Sequence, residues 1–159
     1  MIKNEEIEKI ILSFEPSESA ELAARLGEEI AAHFGPREER PVCVVARDPE
    51  GTLVAGLNGV SHWRWLYVRH LWVEQSQRGR GWGRRLIADA ERIARERGCV
   101  GVYVDTFDLR AAAFYEALGF ERAGEIVGFP PGHERYILSK QLADAPPPCP
   151  SPASRERGR

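Results

Sequence analysis

Leu71-Trp72-Val73-Glu74-Gln75-Ser76-Gln77-Arg78-Gly79-Arg80-Gly81-Trp82-Gly83-Arg84-Arg85-Leu86-Ile87 decides how this chain reads. It begins as an apolar, strand-like segment. It passes through a turn in which Gly79, Gly81 and Gly83 alternate with Arg78, Arg80, Trp82 and Arg84, and it continues as a helix. Leu86, Ile87, Ala90, Ile93 and Ala94 share one face of a 3.6-residue helical repeat, and Gly98 suits the position just past the helix end. The first N–H groups of a helix have no internal partner, and the helix dipole favours negative charge there. Glycines let a ligand approach the backbone, and arginines add charge-assisted contacts. Strand, glycine turn and helix together therefore predict an anion cradle suited to phosphate.

Other glycine motifs fit less well. The spacing is not Gly-x-x-x-x-Gly-Lys-Ser/Thr, and Gly79-x-Gly81-x-x-Arg84 lacks the third glycine of a dinucleotide fingerprint. An arginine–glycine RNA-binding tract would be low in complexity, whereas this one lies between a strand and a helix. Arg78-x-x-Gly81-x-Gly83 resembles the Gln/Arg-x-x-Gly-x-Gly/Ala signature of the GNAT superfamily of acyl-CoA N-acyltransferases. Ala111-Ala112-Ala113-Phe114-Tyr115-Glu116-Ala117-Leu118-Gly119-Phe120 is similar to that family's later Ala-x-x-Phe-Tyr-x-x-x-Gly-Phe segment, in the expected order and with one strand between. The resemblance spans roughly Val42 to Leu142.

The resemblance implies an α/β (α+β) fold, a single GNAT-like domain with a mixed, mostly antiparallel sheet flanked by helices. Its expected bounds are residues 1–142, followed by a disordered proline-rich tail over 143–159. It implies acetyl-CoA as co-substrate, with the pyrophosphate on Arg78, Gly79, Arg80, Gly81, Trp82, Gly83 and Arg84. Leu71, Trp72 and Val73 would lie along the pantetheine arm, which inserts where two parallel strands splay. The Val73 N–H would meet the thioester carbonyl, a role open to strand backbone only where pairing is interrupted. Asp108 stands where many members carry a pantetheine-contacting asparagine; an ionised Asp accepts a hydrogen bond but cannot donate one. Ala111, Phe114 and Tyr115 are expected beside the cofactor, although Phe114 reads first as core packing. Tyr115 matches the tyrosine that protonates the departing thiolate.

Composition bounds the rest. The chain has 159 residues, 29% of them charged, and a net charge of −2. That suffices for one domain with a core and gives no bulk attraction for nucleic acid. No apolar run approaches a membrane span, and the start lacks a signal-peptide pattern. Cys43, Cys99 and Cys149 have no metal-ligand spacing, so no metal is expected. Cys43 and Cys99 fall in apolar strand patterns and read as buried small hydrophobes, which fits a reducing cytoplasm. Five of the eleven prolines fall beyond Ala143, in a segment that cannot bury a core.

In chain order, Ile7–Phe14 reads as helix or strand from its residues, and the resemblance favours the strand. Ser19 opens a helix carrying Leu22, Leu26, Ile30 and Phe34, which ends at Gly35-Pro36. Val42–Arg47, Thr52–Val60 and Trp65–Val73 form an antiparallel meander, turning at Asp48-Pro49-Glu50-Gly51 and Ser61-His62-Trp63-Arg64. Val100–Thr106 follows the cradle helix as a parallel neighbour of Trp65–Val73. A short helix over Arg110–Leu118 and a hairpin of Phe120–Val127 with Glu134–Leu142 complete the order. Alternation along Trp65–Val73 predicts Trp72 in the core.

Transfer of an acyl group from a thioester to an amine needs a polarised carbonyl, a deprotonated amine and a proton for the leaving thiolate. Glu74 and Asp105 are the candidate bases, in that order. His70 reads as structural and His133 as a residue of the acceptor pocket. The last third of the chain resembles a bacterial GNAT subgroup of unassigned substrate, and departs from it at Arg69 and at Asp108-Leu109-Arg110. The expected reaction is acetyl transfer to a primary amine of a small molecule or peptide, by direct attack in a ternary complex. The alternative is a non-catalytic acyl-CoA-binding module on the same fold. Homodimers are common in the family, and no residue here identifies such an interface.

Overall fold

The computed structural model describes residues 10–142, and the chain divides after Pro36 into two compact units. Residues 1–9 and the proline-rich tail from 143 on, with Cys149, lie outside the described residues. In the first unit, residues 10–14 carry no regular secondary structure, so the strand expected over Ile7–Phe14 is not formed there; its first three residues lie outside the described range. Ile10, Ile11 and Leu12 are consecutive apolar residues, without the alternation that gives a strand one face to bury. Helix α1 (Ala20–Phe34) starts as read: the Ser19 Oγ accepts from the Leu22 N–H at 3.2 Å. It stops at Gly35, whose N–H donates to the Ala31 carbonyl.

The second unit holds a six-stranded sheet. Strands β1 (Arg40–Arg47), β2 (Leu53–His62) and β3 (Trp65–Val73) form the meander. Asp48 closes its first turn, accepting from Gly51 N on its carbonyl and from Thr52 N on its carboxylate. Helix α2 (Trp82–Glu96) crosses over to β4 (Gly101–Thr106), and helix α3 (Leu109–Ala117) leads to β5 (Glu121–Val127) and β6 (Glu134–Gln141). The order is β1-β2-β3-β4-β6-β5, antiparallel throughout except between β3 and β4.

One face of the sheet and α2 make the core. Leu86, Ile87, Ala90 and Ala94 pack with Leu66, Val68, Val102, Val104 and Leu138. Truncating a side chain such as Ile87 to alanine would cost about 2–5 kcal/mol. Glu91 is buried on the same helix because Lys140 Nζ lies 2.6 Å from its carboxylate. Two expected core residues are not in it. Cys43 is exposed, since it alternates with the buried Val42 on β1; Cys99 is buried as read. Trp72 is 45% exposed.

The displacement of Trp72 has a specific cause. Asn58 pairs with His70, but the next residue, Gly59, pairs with Val68, so Arg69 is an extra residue bulged out of β3. A bulge inverts the alternation beyond it. Leu66 and Val68 face the core before it, and Leu71 and Val73 pack against the core after it. Trp72 is thereby turned to the other face. Only glycine fits opposite the bulge: a Cβ on Gly59 would lie 2.5 Å from the Tyr67 carbonyl oxygen.

Candidate active site

The parallel ladder runs from Trp65↔Gly101 to Val68↔Val104 and stops there, although β3 continues to Val73 and β4 to Thr106. The bulge at Arg69 coincides with the point where the strands part. Below this fork β4 keeps full pairing with β6, so the opening is one-sided. The family resemblance implied a splay between these two strands, and β3's backbone past Arg69 is freed from β4 by it.

From the end of β3 the chain enters the glycine turn. Glu74 caps a single 3-10 turn (Gln75–Gln77), its carboxylate accepting from the Ser76 N–H at 2.6 Å and from the Ser76 hydroxyl. Those bonds, the hydroxyl's first, hold the Glu74 carboxyl below its ordinary range. Arg78 Nε donates to the Val73 carbonyl at 3.1 Å, which ties the turn to the strand end. Gly81 (φ 85°) is the N-cap of α2 and brings no side chain to it; the helix's first internal bond runs from Arg85 N to the Gly81 carbonyl. The N–H groups of Trp82, Gly83 and Arg84 therefore precede the first internal bond, the donor set a phosphate needs. Gly83 packs on α3: a Cβ there would meet Phe114 Cζ at 3.0 Å.

A cleft of about 630 Å³ joins these parts. Leu71, Trp72 and Val73 form one wall, and Arg78, Gly79, Gly81, Trp82, Gly83 and Arg84 the floor. Asp108, Ala111 and Phe114 of the α3 region close the other side. Gln77 and Arg110 also line it and were not read from the sequence. Arg110 was within reach of inference, one residue before Ala111 in the first turn of α3. The exposed Arg80 and the buried Tyr115 are not among the lining residues. Asp108 is occupied as the N-cap of α3, its carboxylate accepting from Arg110 N at 2.8 Å. Apolar walls with cationic and N–H-rich ends suit a long ligand with phosphates at one end, and the uncapped α2 N-terminus fits the pyrophosphate of coenzyme A.

Asp105 has two side-chain donors. One carboxylate oxygen accepts from the Tyr67 hydroxyl at 2.5 Å and the other from Arg135. Arg135 is held between the rings of Phe107 and Phe129, 5.1 and 4.9 Å from their centroids. Burial, then the bond to Asp105, raises the Tyr67 phenol above its ordinary value. Neither Tyr67 nor Arg135 was read as a site residue, because their spacing to Asp105 exists only across the sheet. Tyr115 is 6% exposed, with Phe114 and Phe120 edge-on to its ring at 5.2 and 5.5 Å. Burial, aided by the charge of Asp105, pushes its phenol up to about 12. His133 is exposed on the β5–β6 connection, where its backbone exchanges hydrogen bonds with Phe129 and Pro130. His70 is exposed on β3.

A family profile described as Acetyltransferase (GNAT) family matches residues 4–120. The chain belongs to the GNAT acetyltransferase family. It is accordingly an acyl-CoA-dependent N-acyltransferase with acetyl-CoA as co-substrate. The chain is 44% identical over 109 residues to Blasticidin-S acetyltransferase of Streptomyces morookaense, covering 66% of this chain and 80% of that one. An Agrobacterium tumefaciens crystal structure described as an acetyltransferase superposes with a TM-score of 0.72 at 34% identity, over 84% of this chain and 99% of that chain. A Bacillus anthracis streptothricin acetyltransferase structure, in complex with acetyl coenzyme A, shares the fold at 22% identity and a TM-score of 0.58, over 67% and 64% of the two chains. The GNAT sheet explains why the cradle and the fork share one edge of α2: the strand that opens is the strand that feeds the cradle. Among the described residues, no helix is long and apolar enough to cross a membrane, and no cluster of three or more His, Cys, Asp or Glu could hold a metal.

Proposed function

We propose that this GNAT enzyme transfers the acetyl group to a primary amine of a small molecule, by direct attack while both substrates are bound. The fork between β3 and β4 carries this reading. The cleft approaches the fork on the side of α2, while Asp105, Tyr67 and Arg135 stand at its mouth from β3, β4 and β6. A thioester entering from one side and an amine arriving from the other need no covalent enzyme intermediate. A small-molecule acceptor is favoured by the 44% identical relative, which is named for one.

Asp105 is the carboxylate we assign to the amine. It keeps acceptor capacity beyond its two donors, and Arg135 and Tyr67 fix its orientation. Glu74, ranked first from the sequence, is instead committed to Ser76 and is best read as a cap. For Tyr115 we propose a hydrogen bond to the leaving sulfur rather than full proton delivery. A phenol near 12 lies about 3.5 pK units above a thiol of about 8.5, so outright transfer runs uphill by roughly 5 kcal/mol. The backbone N–H of Val73 polarises the carbonyl.

Initial-rate kinetics test the reading, with thiol release followed while acetyl-CoA and blasticidin S or another primary amine are varied together. Intersecting double-reciprocal lines are expected. Parallel lines would mean an acetylated enzyme and sink the direct-attack mechanism. Binding of acetyl-CoA with no thiol release across an amine panel would favour the non-catalytic module.

A further inference from the structure

On the sheet face opposite α2, the last residues before the fork are aromatic. Tyr67 and Tyr103 are register partners on β3 and β4, and their rings stack at 4.8 Å and 11°. Trp65 and His62 meet Tyr103 edge-on at 6.3 Å each and support it from one end. On the β6 side the register partner of Tyr103 is Ser139, whose side chain is too short to cover a ring. Both tyrosines are partly exposed. The stack stops at Asp105, two residues along β4 from Tyr103 and on the same face.

This arrangement is more than a packing device for the core, because the core lies on the other face with Leu66, Val68, Val102 and Val104. Two stacked phenols offer a flat, π-rich surface to a third ring. Residues i and i+2 of a strand are about 6.6 Å apart, so a ring resting on Tyr103 has Asp105 roughly that far along. A two-carbon linker spans such a gap. The Asp105 carboxylate, with two donors already in place and lone pairs left, is complementary to an ammonium group arriving there. Its position is rigid, since Arg135 is clamped by Phe107 and Phe129.

We propose that the acceptor of this enzyme is a primary amine carried two or three bonds from a flat aromatic or heteroaromatic ring, with the ring stacked on the Tyr67–Tyr103 pair and the amine at Asp105. The proposal rests on the amine-acetyltransferase reading above and adds the substrate class to it. It makes Tyr103, absent from any sequence motif, the residue that selects the acceptor.

The test compares 2-phenylethylamine with 2-cyclohexylethylamine, which match in size and linker but differ in having a π face. With acetyl-CoA held saturating, kcat/KM for the phenyl compound should exceed that for the cyclohexyl compound by about fivefold or more, in line with the value of an aromatic pair. Tyr103→Leu should bring that ratio to about one while the calorimetric affinity for acetyl-CoA stays unchanged. Tyr103→Phe should keep the ratio, and it serves as the ring-retaining variant if the leucine variant is poorly folded. Equal rates in the unaltered enzyme, or a preference that survives Tyr103→Leu, would overturn the proposal. A readout independent of turnover separates the two readings. In the presence of coenzyme A, the ring protons of 2-phenylethylamine should shift upfield in NMR as they meet the tyrosine faces. A shift without acetylation would leave the ring site standing and count against the acetyl-transfer reading. Absence of the shift would overturn the ring site even if amines are acetylated.

Discussion

The two mouths of the fork are built from different materials. On the side of α2 the cradle is mostly backbone: the uncapped start of the helix, a glycine whose Cβ would strike Phe114, and one arginine bonded to a strand carbonyl. On the other side the surface is all side chain, with Tyr67, Tyr103, Asp105 and Arg135 contributed by three strands. A backbone site constrains the sequence only where glycine must stand. A side-chain site can be rewritten residue by residue without disturbing the sheet. The proposed cofactor half is thus set mainly by backbone and the proposed acceptor half by side chains.

Substitutions can break this contrast, beginning with the largest effect. Asp at both Gly81 and Gly83 places two carboxylates in the proposed phosphate cradle and strains a backbone at φ 85°. Calorimetric affinity for acetyl-CoA should fall by about 1,000-fold, as like charges brought together cost several kcal/mol. Affinity within tenfold of wild type would remove the cradle from the cofactor site. Asp105→Asn should spare acetyl-CoA binding and lower kcat/KM for the amine by about 100-fold, within the range of general acid–base groups. A matching loss of acetyl-CoA affinity would show that the two mouths are not separable.

Tyr115→Phe should lower kcat by about 10- to 100-fold, the worth of a hydrogen bond to a charged group. It should also change the alkaline limb of stability. The Tyr115 phenol is raised by burial to about 12, against about 10 when unfolded, so the unfolded chain releases its proton first. Stability is unaffected by this group below pH 10 and falls as pH climbs toward 12, by roughly 3 kcal/mol at most. Chemical denaturation across that window should show a shallower fall for the phenylalanine variant. The smallest effect is expected for Glu74→Gln. If the carboxylate only caps its turn, turnover with a good amine stays within about threefold, because capping groups act on local stability rather than on reacting atoms. A loss of 100-fold would return Glu74 to the role of base and demote Asp105.

The same contrast decided what could be read from the sequence. The cradle was legible because its chemistry follows from residue types in one stretch: glycines, arginines and a helical stripe from Leu86 to Ala94. The meander, the parallel pair β3–β4 and the final hairpin followed from the crossover and the turn residues, but the insertion of β6 between β4 and β5 did not. Tyr67, Tyr103 and Arg135 left no trace, since residues dozens of positions apart meet only through strand register. Tyr115 was named by its motif, but its burial against Phe114 and Phe120, and so the weakness of its acidity, depends on packing. The misreadings of Cys43 and Trp72 have different origins. An apolar residue type and an apolar strand pattern point Cys43 to the core, but strand phase turns it away from the buried Val42. Alternation points Trp72 to the core, but the bulge at Arg69 inverts that alternation.

Arg69 makes β3 two half-waves in antiphase. Inside and outside exchange at that residue, so labels carried along the strand, or across from a relative, invert unless the insertion is counted. A one-codon deletion there would be no mere shortening. It would drive Trp72 toward α2, turn Leu71 and Val73 to solvent and zip the fork shut, erasing both mouths in a single step. The proposed capacity to hold two substrates at once thus hangs on an odd number, one unpaired residue between Val68 and His70.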